Sequence, residues 1–349
     1  MENNFFLYSE TENKVQIERF HICTWEFKTI ESFVEFGCEI NKESLAGNDN
    51  LKLNLSISWL KKECKVKDLY LQLYDTANSR FIFNDSVLAT TSLDGGANRA
   101  GIIHNFEERE DLCILPVVLQ FEPTNKLSIE IDLKSYNKQD NKPNVYFRFY
   151  IMPKGHYLST RKLGINKSTI IYDTKINERR NIPIEQNAEF LNKKLCNIKS
   201  CFSFNILPNR FDMMFSDTSL KNVRTLEHSS FHQYLGKLID IPKDELMVVF
   251  NKKDNLTAFT FFSIYTDERI GPAQFIYAIL VNIICGILLF IPSYRKSFHP
   301  EMKFINVWGN LPVEIYTAIF LVCFTLVCFL WPTLKFYTKS LVQHVFYKN

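Results

Sequence analysis

The chain has 349 residues, a near-neutral formal charge of +3 and 46% hydrophobic residues, with 31 Phe against only 11 Gly. This composition excludes a disordered or low-complexity chain and predicts densely packed, aromatic-rich cores. It also excludes a dedicated nucleic-acid binder, which would carry a strongly basic face, so the Arg179–Arg180 and Lys193–Lys194 pairs read as solvated surface.

The first residues, Met1–Phe20, include Glu2, Glu10, Glu12, Lys14, Glu18 and Arg19 and lack the continuous apolar run of a secretory signal peptide. A large body synthesised before any apolar segment emerges stays most readily in the cytosol, so cytoplasmic N- and C-termini are expected. The cysteines agree. They are nine in number, with no CxxC and no regular spacing, which suits free thiols in a reducing compartment better than a disulfide framework. The four Asn-x-Ser/Thr matches, at Asn54, Asn84, Asn166 and Asn255, are no evidence of secretion in a chain so rich in Asn.

From Leu51 to Trp59 apolar and polar residues alternate without a break, with Leu51, Leu53, Leu55, Ile57 and Trp59 on one face. Period two marks a strand with one buried face. The pattern recurs in Leu69-Leu71-Leu73, in Leu127–Leu133, in Val145–Ile151 and, more briefly, in Val117–Phe121. Turn-rich stretches at Leu45–Asn50, Asp94–Asn98 and Tyr136–Asn144 separate these runs. Several half-buried strands without a long intervening helix predict an antiparallel β-sandwich-like domain over residues 1–155.

Beyond Pro153 helical spacing appears in Ile184–Leu195, opened by Pro183, and again in Ser229–Ile239. Strands return at Cys201–Ile206, Leu246–Phe250 and Thr257–Tyr265. Residues 156–269 therefore read as an α+β, membrane-proximal region whose last strand runs almost directly into an apolar segment.

Two uncharged apolar segments close the chain, at 270–294 and 315–334. Each reaches the ~20 residues an α-helix needs to cross a bilayer core. The intervening 295–314 holds Arg295, Lys296, His299, Glu301, Lys303 and Glu314, too polar for lipid. Tyr277 and Tyr294 bracket the first segment and Tyr316, Trp331 and Tyr337 the second, as an aromatic belt requires. A two-helix transmembrane hairpin with a basic-aromatic tail, 335–349, is the expectation. In the first helix Ala278, Asn282 and Gly286 share one face, and Ala318 and Thr325 share a face of the second. Small residues let helices approach, and an amide in lipid seeks a partner across the interface. This face would pack helices within a homo-oligomer, or line a narrow pore if several subunits assemble.

Motifs for chemistry are scarce. His228 and His232 are four apart on a predicted helix and could share a metal, but no HExxH glutamate accompanies them, and a metal-free helix surface is the simpler reading. His104 precedes Glu107, Glu108, Glu110 and Asp111, a charge run that reads as an exposed loop before it reads as an acid–base site. Asp94-Gly95-Gly96 is a turn, and neither a phosphate loop, a nucleophile elbow nor a kinase signature is present. The chain is thus expected to be a non-enzymatic protein without a cofactor, α+β and mainly β. Its expected partners are the lipid bilayer, copies of itself and a small-molecule ligand or protein yet to be identified.

A β-rich body followed by an apolar hairpin resembles, in layout, the membrane-acting effectors of bacterial anti-phage abortive-infection systems. The resemblance implies an antiviral defense role in which engagement of the body clusters subunits and the hairpins permeabilise the membrane. A static adaptor, with the sandwich recruiting a partner protein and nothing conducted, is the alternative.

Overall fold

A computed structural model describes residues 3–10, 15–27, 31–94, 100–164, 167–182, 193–236, 245–268 and 272–324. The chain divides into two compact units, one ending at Glu268 and one beginning at Arg269.

The first unit is built from two sheets. One runs, edge to edge, β15 (Asp212–Ser216), β18 (Phe259–Glu268), β13 (Lys167–Ile176), β1 (Asn3–Ser9), β4 (Asn50–Ile57), β10 (Lys126–Asp132) and β9 (Val118–Glu122), with β12 (Thr160–Leu163) paired to β13. The other runs β16 (Leu220–Leu226), β17 (Leu246–Asp254), β14 (Asn197–Pro208), β2 (Gln16–Trp25), β3 (Phe33–Ile40), β11 (Asn144–Met152), β8 (Leu112–Ile114), β7 (Ile102–Phe106) and β6 (Val87–Ser92), with β5 (Lys65–Asp68) paired to β11.

Alternation decides what lies between the sheets. Leu51, Leu53, Leu55 and Ile57 of β4 and Leu127, Ile129 and Ile131 of β10 meet Val34, Phe36, Cys38 and Ile40 of β3 and Val145, Phe147 and Phe149 of β11 in one continuous core. Phe36 stacks on Phe149 with ring centroids 5.5 Å apart. The expected strands at 51–59, 117–121, 127–133 and 145–151 all form, within a residue or two of their expected bounds.

The sheets are mixed, where an antiparallel sandwich was expected. β13 lies parallel to β1 and β14 parallel to β2, while β8 pairs parallel with β11. The later part of the chain re-enters beside the first two strands and covers their otherwise open edges, which a strand must otherwise protect from foreign pairing. Strands from 3–152 and from 160–268 consequently share both sheets.

A second departure is at Leu69-Leu71-Leu73, which reads as a strand but forms helix α1 (Tyr70–Tyr74), followed by α2 (Thr76–Phe83). Leu69 and Leu73, four apart, are buried, while Leu71 is 59% exposed. Helical spacing therefore wins over period two. Asp75 caps α2 by accepting from the Ala77 amide, and Asp68 accepts from the Tyr70 amide at the start of α1. The short α3 (Lys134–Asn137) leads into the turn expected at 136–144, and α4 (His228–Leu235) occupies most of the expected 229–239 helix. Of the expected helix at 184–195, residues 184–192 lie outside the described residues; Leu195 bridges to Tyr8.

In the second unit, α5 (Pro272–Phe298) contains one span, Ile276–Phe298, long and apolar enough to cross a membrane. Its surface is uncovered along most of its length, with Leu288 59% and Leu289 74% exposed. Near its C-terminal end Ile291 packs with Val307 and Leu311, and Arg295 Nε donates to the Met302 carbonyl at 2.7 Å. The second expected span is described only as the short apolar helix α6 (Val313–Phe324); its remainder, with Thr325, lies outside the described residues. Among the described residues one helix qualifies as a candidate span, and the expected pair is not confirmed.

Candidate ligand-binding cleft

The same alternation that fills the core points a second set of side chains outward from the second sheet. On β2 these are Arg19, His21, Cys23 and Trp25; on β3, Glu35, Gly37 and Glu39; on β11, Tyr146 and Arg148; on β14, Phe202 and Phe204. The register sets Arg19 opposite Glu39, His21 opposite Gly37 and Cys23 opposite Glu35, with Phe202 beside His21 and Phe204 beside Cys23. This face is not left to solvent. Phe231, Tyr234 and Leu235 of α4 pack on Trp25 and Phe33, and Ile82 and Phe83 of α2 pack beside Tyr146. Between helices and sheet remains a cleft of about 350 Å³, within the size range of small-molecule sites.

The floor is a buried polar network. Arg148, 4% exposed, donates through Nε and Nη2 to Glu35 Oε2 at 2.9 and 2.5 Å. Its Nη1 reaches Tyr146 Oη at 3.2 Å and its Nη2 reaches Cys23 Sγ at 3.1 Å. Tyr146 Oη also lies 3.2 Å from His21 Nδ1, and Tyr234 Oη donates to Glu35 Oε2 at 3.4 Å. The missing side chain at Gly37 makes room for this network, since a Cβ there would lie 2.1 Å from Tyr146 Oη and 3.2 Å from Arg148 Nη1.

At one end of the cleft two guanidiniums share one carboxylate. Arg109 Nη2 donates to Glu39 Oε2 at 3.2 Å, and Arg19 Nε lies 3.6 Å from the same oxygen. Arg109 is clamped over Phe83 and Phe106, 4.8 and 5.1 Å from their centroids. The wall beside His21 is aromatic. Phe250 is parallel to Phe204 (9°, 4.8 Å) and to Phe202 (3°, 6.0 Å), and His21 meets Phe202 edge-on at 4.9 Å.

These surroundings set the charge states. Burial, then the guanidiniums of Arg148, Arg19 and Arg109, push His21 well below its usual value, so its imidazole is neutral at pH 7. Burial raises the Cys23 thiol to about 11 and the Tyr146 phenol to about 12. Burial also raises the Glu35 carboxyl against the pull of Arg148. For Arg148 desolvation opposes the charge, but Tyr234, Cys23, Glu35 and Tyr146 outweigh it and hold the guanidinium protonated. The cleft presents fixed cations, a neutral imidazole and protonated thiol and phenol: a surface for binding, with its one thiol far from thiolate.

The residues singled out from sequence lie elsewhere. His228 and His232 both fall on α4; His232 is exposed, and no group of three or more metal-ligating side chains occurs among the described residues. His104 is fully buried on β7 and bonded to Thr90 Oγ1 (2.8 Å), Ser79 Oγ (3.2 Å) and the Leu73 carbonyl (2.9 Å), not to the carboxylates that follow it. Ala278, Asn282 and Gly286 are all exposed on α5, and the space beside Gly286 is open. Sequence reasoning missed the cleft entirely. Its signal was present in Glu35 and Glu39 alternating with four buried apolar residues of β3, and in Arg109 inside the acidic run 107–111.

No protein-family model and no curated protein matches the chain.

Proposed function

We propose that this protein is a membrane-anchored, non-enzymatic sensor and effector, in which the β-rich body takes a ligand in the cleft and the C-terminal apolar segment oligomerises and permeabilises the bilayer. The observation that carries this reading is the surface of α5. A helix with Ile279, Val281, Leu288 and Leu289 all more than half exposed belongs in lipid or against other helices, not in water. Its small-and-polar face, Ala278-Asn282-Gly286, is exposed among the described residues, which suits packing against another copy. The high thiol of Cys23 and the absence of a nucleophile–base pair from the network support binding over catalysis. Six buried free cysteines in the body support a reducing, cytosolic side for it. The abortive-infection layout noted from sequence fits this reading of a body that senses and a membrane segment that acts.

The deciding experiment is dye leakage from vesicles reconstituted with the full chain, comparing wild type with Asn282→Leu. Leakage abolished with insertion intact supports a pore lined by Asn282; leakage from neither protein under any activating condition removes the effector role. Labelling that places Lys52 outside and Lys303 in the cytosol would reverse the topology.

A second reading, a static adaptor, is favoured by one observation. Edge strand β15 exposes Met214 (62%) and Phe215 (50%) beside a sheet edge that pairs with no further strand among the described residues, which suits strand addition by a partner protein. Deleting both side chains would abolish partner recruitment and leave leakage unchanged.

A further inference from the structure

We propose that the cleft on the outer face of the second sheet binds an organic phosphate carrying a planar ring, a ligand of the mononucleotide class. The inference deepens the sensor reading and relies on it only for what binding does, not for binding itself.

The anionic half is read from the Arg19–Arg109 end. Two guanidiniums there share the single carboxylate of Glu39, whose second oxygen already accepts from Asn144 Nδ2 at 3.0 Å. Asp85 adds a second negative charge near Arg109, but its Oδ2 accepts from the backbone amides of Glu108 and Arg109. Arg109 Nε is buried and has no hydrogen-bond partner among the described residues, although Phe83 and Phe106 hold the guanidinium in place. A buried donor without an acceptor is costly, and an oxyanion arriving at this end supplies one. Planar guanidiniums match phosphate oxygens in fork geometry.

The ring half is read from the wall. Phe202, Phe204 and Phe250 form a parallel ladder, and all three remain partly exposed. Such a ladder is a platform for a further ring, as in proteins that stack nucleobases on aromatic side chains. Phe81 and Phe83 stand on the helix side of the same cleft. Phe202 sits at the level of His21, two residues along β2 from Arg19. At about 3.3 Å per residue that is roughly 7 Å, a spacing that a sugar between phosphate and base spans.

Other ligands fit less well. At about 350 Å³ the cleft lies near the lower end of the ~300–1,000 Å³ range of small-molecule sites and is too small for a polymer. An aliphatic anion would lay its tail over the partly exposed His21 imidazole and strip it of water without return. Arg224, on β16, has no acidic partner among the described residues but stands level with Trp25, at the far end of the cleft from Arg19, so it contributes little to the phosphate.

The test uses the full chain in mild detergent, with AMP, GMP, CMP and UMP as probes and adenosine and inorganic phosphate as the separate halves, by titration calorimetry near physiological salt. At least one mononucleotide is expected to bind about tenfold tighter than either half. Arg19→Gln and Phe202→Leu, both at partly exposed positions, are each expected to weaken binding by about fivefold or more with the melting temperature unchanged; Arg224→Gln is expected to change it by less than about twofold. The proposal is overturned if no mononucleotide binds more tightly than inorganic phosphate, or if folded Arg19→Gln and Phe202→Leu both keep wild-type affinity. Vesicle flotation of the same preparations keeps the two readings apart. Binding without flotation defeats the membrane role alone, and flotation without binding defeats the ligand alone.

Discussion

Gly37→Ala is the sharpest perturbation of the cleft floor, because it adds one methyl where the structure has no space. The new Cβ would lie 2.1 Å from Tyr146 Oη and 3.0 Å from its Cζ. Tyr146 is fully buried, so its ring cannot swing into solvent and must shift within the packed face. The shift strains packing by about 1–3 kcal/mol. It also breaks the 3.2 Å bonds from Tyr146 Oη to Arg148 and to His21, and a bond to a charged group contributes about 1.5–3 kcal/mol. Ala is better than Gly in a strand interior by about 0.5–1 kcal/mol, which offsets part of the loss. The net expectation is a destabilisation of about 2–4 kcal/mol, or a fall in melting temperature of roughly 5–10 °C for a body of this size. The assay is thermal unfolding of the full chain in mild detergent, followed by near-UV dichroism. Tyr146→Phe removes the oxygen that clashes, so the double variant should melt above Gly37→Ala alone. A Gly37→Ala protein as stable as wild type, or a double variant that loses the sum of the two single effects, would refute the packing argument.

Three further outcomes follow from the same network. Glu35→Ala leaves the buried Arg148 guanidinium without its carboxylate and should cost about 3–5 kcal/mol by chemical denaturation, while replacing both members with apolar residues of similar volume should recover most of it. His21, whose value is held well below that of the unfolded chain, takes up fewer protons folded than unfolded, so its contribution to stability is present above about pH 6.5 and is lost as the pH falls below it. Glu35, raised by burial, acts in the opposite direction, losing its contribution as the pH rises above the ordinary carboxyl value. The His21 effect is therefore isolated by comparing wild type with His21→Gln, whose melting temperature should fall less between pH 7 and pH 5. The six buried body cysteines, with Cys23 at about 11 and Cys196 at about 12, should resist a water-soluble disulfide reagent at pH 7.5 until denaturant is added; rapid native labelling of Cys23 would contradict its burial.

Several features of this protein were legible without a structure. The unbroken alternation of Leu51–Ile57, Leu127–Ile131 and Val145–Ile151 announces half-buried strands because side chains of a strand must point to opposite faces. The uncharged run ending at Tyr294 announces an apolar helix for the same local reason, since length and composition alone decide whether a helix can sit in lipid. Local signals misled where two periods compete, as at Leu69-Leu71-Leu73, where Asp68 accepting from the Tyr70 amide favours a turn into the helix.

What tertiary structure alone decided is which polar faces meet solvent and which enclose a site. Period two groups Tyr146, Arg148 and Tyr150 on one face, but it is silent about what covers that face. The cover comes from α2 and α4, and the partner of Arg148 is Glu35, 113 positions away in the chain. The parallel junctions of β1 with β13 and of β2 with β14 are of the same kind. A strand's own residues determine its faces, whereas its neighbours are chosen by the free energy of burying its edge and outer face against segments distant in the chain, and that energy is a property of the assembled fold.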